Sequence, residues 1–312
     1  MLDKKAEGKK QKNVFLNIWK SRYLYLMILP FMAWLFTFCY APMYGVVLAF
    51  KQYKTSLGIL GSPWVGLQNF ERIFVTPQAY KAIVNTIEIS LARLIFEFPI
   101  PIIVAIMINE IRGSKLKRVS QTVLTFPHFL SWIVVATLMK NFVANAGAVN
   151  VFLRSLGLES VEFLGSKALI RPILYITSNW KGMGWSAIIY MAAIAGIDPS
   201  LYEAAYIDGA NRWQQIWHIT LSGLKATIVI MFILAVGNIL NAGFDQIYYM
   251  SNSVVKDEVR ILDTYIFDMA MGSAKNYGFT TAVGLFKSVV NFIFLALANT
   301  IVGKLTGQKM FY

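Results

Sequence analysis

The sequence predicts an all-α, polytopic membrane protein with six transmembrane helices, on three observations. Hydrophobic residues make up 57% of the 312-residue chain and charged residues only 14%, whereas a soluble domain carries about a quarter charged residues. Mean hydropathy is +0.55, and the apolar residues gather in blocks of roughly 20 or more, enough to cross ~30 Å of hydrocarbon. Lysine and arginine, finally, alternate in density between successive inter-block segments. These properties exclude a soluble enzyme and a secreted module. The single cysteine, Cys39, lies inside an apolar block, which leaves neither a disulfide framework nor a cysteine metal cluster.

The six blocks are 24–50, 83–108, 122–143, 173–197, 224–244 and 279–302. The first comes after Lys4, Lys5, Lys9, Lys10 and Lys12; it is too long for a signal-peptide core, lacks a small-x-small cleavage site, and reads as a retained span. Pro30 and Pro42 fall inside it, and Pro99 and Pro101 inside the second, so kinks are expected where neighbours can satisfy the freed carbonyls. Pro127, His128 and Lys140 interrupt the third block. The fourth and sixth carry Lys181 and Lys287, and the fifth closes on Asn238, Asn241, Phe244, Asp245 and Gln246.

The basic residues set the sidedness. With the N-terminus inside, the inner segments, counting Lys225 at the inner edge of the fifth block, hold 15 lysines and arginines and the outer ones 10, the inner excess being densest in short segments. The net charge of +13 therefore reads as topology and contact with anionic lipid, not as a nucleic-acid footprint. Residues 1–23 form a basic cytoplasmic segment, 24–305 the membrane domain and 306–312 a cytoplasmic tail, so both termini are cytoplasmic. The outer segments 51–82, 144–172 and 245–278 are each about 30 residues long. The first holds Trp64-Val65-Gly66-Leu67-Gln68-Asn69-Phe70, a turn leading into a short interfacial helix, and the third concentrates acid. No internal repeat is visible.

The inner segment 198–222 is the most informative. Asp198 can cap a helix with Pro199 in its first turn, or Ser200 and Glu203 can form a capping box. Leu201, Ala204, Ala205 and Asp208 share a face by their spacing, and Gly209 can end the helix in a left-handed conformation. Asn211 can then cap a second short helix with Trp213, Ile216 and Trp217 on one side. Amphipathicity alone allows this hairpin to rest on the bilayer surface.

The residue order points further. Glu203-Ala204-Ala205, then Asp208-Gly209-Ala210, then Ile219 and Leu221 resemble the EAA loop of ABC importer membrane subunits. The resemblance implies the type I importer permease fold. It also implies a coupling helix, formed by Leu201, Glu203, Ala204, Ala205, Asp208, Gly209 and Ala210, that docks on a cytoplasmic ATPase. Ser222 departs from the family, which usually has proline there, and so puts in doubt the break between loop and fifth span. Tyr40-Ala41-Pro42-Met43-Tyr44-Gly45, Pro127-His128-Phe129-Leu130-Ser131-Trp132, 238–246 and Ala282-Val283-Gly284-Leu285-Phe286-Lys287 are similar to the type I carbohydrate importers of polysaccharide breakdown products and complex oligosaccharides.

That resemblance implies a divided machine in a bacterial cell membrane. This chain would supply half a sugar pathway beside a second, homologous permease; two ATPase subunits would bind ATP and Mg, and an extracytoplasmic solute-binding protein would deliver the oligosaccharide. The chain itself has no G-x-x-x-x-G-K-[ST] loop and no catalytic or metal motif, so it is expected to need no cofactor. Sugar recognition calls for planar hydrogen-bonding groups and aromatic faces. Asn238, Asn241 and Phe244, three residues apart, would share one helical face, with Asp245 and Gln246 beside them. A polar stripe of this kind can equally serve as glue between helices. Among the intramembrane charges, Arg93 lies within reach of Glu97 as an internal pair, Lys140 and Lys181 can snorkel, and Lys287 is placed deeply enough for a pathway role. Two other functions remain open on the residues alone: a secondary transporter or channel acting by itself, and a non-transporting membrane scaffold.

Overall fold

The computed structural model describes residue 19 and residues 21–272 and 275–306; most of the basic N-terminal segment and all but the first residue of the C-terminal tail lie outside them. Helices dominate, and the one β-type contact among the described residues is the bridge between Lys51 and Trp64. Apart from a single helical turn at Gly58–Gly61, the α-helices in order are α1 (Arg22–Leu35), α2 (Gln68–Val75), α3 (Pro77–Phe96), α4 (Pro99–Glu110), α5 (Ser114–Thr125), α6 (Trp132–Val143), α7 (Ala148–Ser155) and α8 (Ile170–Ala195). They continue with α9 (Pro199–Ile207), α10 (Arg212–Gln215), α11 (Leu221–Gly237), α12 (Phe244–Met250), α13 (Lys256–Val259), α14 (Leu262–Met271) and α15 (Tyr277–Thr306).

Among the described residues, five helical stretches are long and apolar enough to cross a membrane: Arg22–Phe50, Pro77–Glu110, Trp132–Ser155, Arg212–Gly237 and Tyr277–Lys304. The fourth expected span falls on α8, whose 26 residues include Arg171 and Lys181; it packs against α4, α5 and α11 at the centre of the bundle. There Ala105, Ala187, Tyr190, Ile194 and Leu224 form a shared core. The first stretch runs from α1 through a π turn (Phe36–Tyr40), which contains Cys39, into a 3₁₀ helix (Ala41–Phe50) opened by Pro42. No residue of α1 itself is buried by the rest of the chain.

The third and fifth blocks are not the single helices that hydropathy suggested. Residues 122–143 are divided between α5, a 3₁₀ turn (Phe126–Phe129) and α6. Pro127 removes a donor from that turn, and Leu130 and Ser131 are extended. The fifth helix stops at Gly237, seven residues early. Asn238 turns its side-chain amide back onto the Leu234 carbonyl at 3.0 Å, a local bond that competes with helix continuation. Asn291 of α15 then caps the Leu240 amide at 3.1 Å, and Gly243 takes φ +83° before α12 begins.

The turn expected after Trp64 is present. Gly66 takes φ +58°, and Asn69 of α2 donates to the carbonyls of Ala49 and Lys51 at 2.9 and 3.1 Å, tying the segment to the end of the first stretch. The third outer segment is knotted onto α3 and α8. Asn85 donates to the Asp257 and Arg260 carbonyls, both at 3.0 Å, while Arg171 joins Asn85 at 2.9 Å and Glu88 at 2.7 Å.

Close packing between α5 and α8 depends on Gly184, since a Cβ there would run into the Leu124 carbonyl group. Gly184→Val is therefore expected to destabilise the chain by about 1–3 kcal/mol through overpacking. Thermal unfolding in detergent checks this; an unchanged midpoint would show that the two helices are not in contact.

Candidate functional site

Two features stand out: an open cavity with polar groups on a largely apolar wall, and an exposed elbow at the other end of α11. The cavity holds about 420 Å³ and is lined from α3, α4, α8 and α11, with Ser90, Arg93, Glu97, Ser186, Tyr190, Asn238 and Asn241 among its walls. Its charged and amide groups gather at two helix interruptions, while Ser90, Ser186 and Tyr190 project from helix interiors. Pro99 opens α4 and leaves Glu97 and Phe98 in a bend, so that Arg93 and Glu97 occupy the last turn before it. Opposite them, the arrest of α11 exposes Asn238 and Asn241, whose side chains bond each other at 3.0 Å.

Arg93 organises this level. It pairs with Glu97 at 3.6 Å, donates to the Gln246 side-chain carbonyl, and lies against Gly243 where a Cβ would otherwise be. Gln246, fully buried, donates in turn to the Leu174 carbonyl and the Thr177 hydroxyl, both at 2.7 Å. Ser178 donates to Glu97 at 3.0 Å. One network thus joins α3, α8 and α12 across the interrupted helix. Even so, Ser90 Oγ is buried without a hydrogen-bond partner among the described residues, and Arg93 Nε and Glu97 Oε1 face each other at 3.6 Å, beyond hydrogen-bond length. Buried polar atoms are normally satisfied, so unmet capacity on a cavity wall suits a hydroxyl-rich solute.

The expected pathway residues divide accordingly. Asn238 and Asn241 line the cavity, although in a turn and not on one helical face. Gln246 lies behind Arg93 as a structural brace, and Asp245 is exposed. Phe244 stacks on Tyr248 with ring centroids 5.4 Å apart, outside the cavity wall. Lys287 is held by Asp263 at 2.6 Å, an ion pair between α15 and α14; its depth in the span comes with a carboxylate partner. Sequence reasoning does not find Ser90, Ser186 or Tyr190, because isolated hydroxyls in an apolar helix have no periodic signature.

The elbow matches its expected chemistry closely. Asp198 accepts from the Ser200 amide at 2.9 Å, which selects the Asp198 cap over the capping box. That bond holds the Asp198 carboxyl below its usual range; the cap is present at neutral pH and lost only as acid protonates it. At the other end of α9, Gly209 has φ +77°, the Ala210 amide donates to the Ala205 carbonyl at 2.9 Å, and the Gly209 amide to the Tyr206 carbonyl at 3.1 Å. This is a Schellman cap. Asn211 and Gln214 form a capping box that opens α10.

The second helix is not short. It continues from α10 through a π turn (Ile216–Thr220) into α11 without a break, consistent with Ser222 where proline would have interrupted it. Two bonds brace the junction: Tyr202 with Thr220 at 3.0 Å and Arg212 with Glu110 at 2.7 Å. No residue of α9 is buried, and Ile207 and Trp213 are 83% and 79% exposed. Ala205, Ala210, Gln214 and Gln215 line a shallow groove beside them.

Among the described residues, a helical bundle with apolar spans, a cleft bearing polar groups and an exposed elbow is the architecture of a membrane solute permease. The chain belongs to the family of binding-protein-dependent transport system inner membrane components, whose model matches residues 97–307. It is 39% identical over 306 residues to the polygalacturonan/rhamnogalacturonan transport system permease protein YteP of Bacillus subtilis (strain 168), covering 97% of this chain and 94% of that one. It is 40% identical over 293 residues to Protein LplB of the same organism, covering 94% and 92%. Among solved structures it resembles a chain of a bacterial ABC transporter involved in the import of the acidic polysaccharide alginate, with TM-score 0.87, 36% identity, and 95% and 100% of the two chains covered. A chain of the bacterial alginate ABC transporter in complex with alginate pentasaccharide-bound periplasmic protein matches with TM-score 0.87 at 35% identity, covering 96% and 100%. The fold is that of an ABC importer permease, a transport component and not an enzyme.

Proposed function

We propose that this chain is the membrane permease of an ATP-driven importer of oligosaccharides released from polysaccharides, forming half of the pathway and receiving work through its elbow. The relatives support the class of cargo, and the observation that carries the mechanism is the uninterrupted helix from Arg212 to Gly237. One end lies beside the exposed α9 and the other at Asn238 on the cavity wall. A partner that pushes on Glu203, Ala204, Ala205 and Gly209 would move the cavity wall directly. ATP and Mg belong to that partner.

Alternating access then needs a second permease, against which this half can rock, and a solute-binding protein at the outer face. The unburied α1 supplies one apolar surface for such a neighbour. In this arrangement the elbow and both termini face the cytoplasm, in keeping with the basic-residue distribution.

The test is co-purification. The full chain is expected to retain an ATPase in detergent, and Glu203→Lys, a charge reversal at an exposed position, is expected to release it while leaving the bundle's thermal unfolding unchanged. Sugar uptake by the chain alone, driven by an ion gradient with no ATPase bound, would instead establish a secondary transporter. Stable partner binding without any flux would establish a scaffold.

A further inference from the structure

A second cavity, of about 460 Å³, lies at the far end of α12 from the first. Its walls carry three cations from three elements: Lys140 at the end of α6, Lys256 in α13, and Arg260 between α13 and α14. One carboxylate, Asp268, faces them. Lys256 approaches Asp268 at 2.8 Å and Arg260 at 3.9 Å, while Lys140 makes no ion pair among the described residues. Arg260 also lies 3.9 Å from Asp257, an exposed carboxylate outside the lining, so three positive groups meet two negative ones and one positive charge is left in excess. Arg260 Nε is also buried without a hydrogen-bond partner among the described residues, despite the neighbouring carboxylate.

The remaining wall carries two tyrosines among small polar and aliphatic side chains, Ser251, Asn252, Ser253 and Thr264 with Ile247 and Val259. Tyr248 and Tyr249 line the cavity, with Tyr248 stacked on Phe244 and set edge-on to Phe267 at 5.0 Å. Cations beside tyrosine rings are the chemistry that holds an anionic sugar: carboxylate to lysine and guanidinium, ring face to phenol. A neutral sugar would leave the cations' desolvation uncompensated. Of the three cations, Arg260 is anchored through its carbonyl, which accepts from Asn85 at 3.0 Å, whereas Lys140 is exposed and Lys256 partly so. The helix α12, seven residues long, separates this cavity from Asn241 by about 10 Å at 1.5 Å per residue, and Phe244 and Tyr248 lie along the way.

We infer that this cavity is an outer subsite for a carboxylate-bearing sugar residue, which an oligosaccharide occupies before its leading unit reaches the inner cavity. The inference rests on the permease reading and adds the charge class of the cargo.

The experiment uses the full chain in lipid nanodiscs, with trigalacturonate as the anionic probe and cellotriose as the neutral one, each titrated by calorimetry. The wild type is expected to bind trigalacturonate in preference, and more weakly as salt rises. Lys140→Gln and Lys256→Gln are each expected to weaken trigalacturonate binding about tenfold, the order of one charge-assisted contact, and to leave cellotriose unchanged. Lys140 has no ion-pair partner among the described residues, so its variant is not expected to disturb the fold. Wild-type affinity in both variants would overturn the subsite. Equal binding of the two probes by a wild-type chain that still retains its ATPase would overturn it too, with the permease reading intact. If the variants kept their affinity for trigalacturonate but lost docking of the loaded solute-binding protein, the cations would serve acidic residues of that protein, and the inference would again fail. The permease reading stands or falls separately, on the Glu203→Lys result.

Discussion

Arg93→Ala is expected to destabilise the chain by about 3–5 kcal/mol and to abolish uptake. Removing one partner of a largely buried pair, its side chains 14% and 22% exposed, strands the other. Glu97 would keep only its bond from Ser178, and the Gln246 carbonyl would lose its donor. The space against Gly243 would also empty, loosening the non-helical turn between α11 and α12. Unfolding in detergent measures the first effect, and uptake in vesicles the second. The paired replacement Arg93→Leu with Glu97→Leu separates structure from function, since exchanging a buried ion pair for apolar groups is often neutral. That double variant is expected to recover most of the stability and none of the uptake. If Arg93→Ala unfolded like the wild type, Arg93 would not clamp the interrupted helix.

The second large effect concerns the elbow. Gly209→Val is expected to reduce ATP-driven uptake at least about tenfold, whereas Gly209→Asn should remain near wild type. A Cβ at Gly209 meets nothing within 4 Å, so steric exclusion is not the reason. The reason is the φ of +77°, which costs an L residue roughly 1–2 kcal/mol. Asparagine tolerates that conformation and a β-branched residue does not. Valine would undo the bonds from the Ala210 and Gly209 amides and swing α9 away from the braced helix. Equal uptake by the two variants would show that the left-handed cap has no part in coupling.

Much of this architecture is legible in the residues because local chemistry writes it. Asp198, Gly209 and Asn211 each specify a cap through their own side chain or lack of one, and all three take the expected geometry. Apolar block length locates the bundle for the same reason. Hydropathy does not register the interruptions. Asn238 through Gly243 read as the tail of a span, yet the turn is completed by Asn291, 51 residues away, and by the Arg93 side chain from α3. Tertiary partners decide that segment. The same holds for Lys287: it does sit within the sixth span, but its partner Asp263 belongs to an outer segment whose fold no periodicity announces. The α5–α6 division is half visible, since Pro127 marks an interruption in the third block while the apolar run on either side of it conceals that a helix ends there.

The unbroken rod between elbow and cavity has a geometric corollary. Twenty-six residues at 1.5 Å each make a lever of about 39 Å. Pivoted near the Arg212–Glu110 brace, a tilt of roughly 10° would carry its distant tip through some ~7 Å, comparable to the width of a pyranose ring. Small angular travel at the motor would therefore suffice to admit or eject one sugar unit, and no hydrogen bond within the rod would have to break on any stroke.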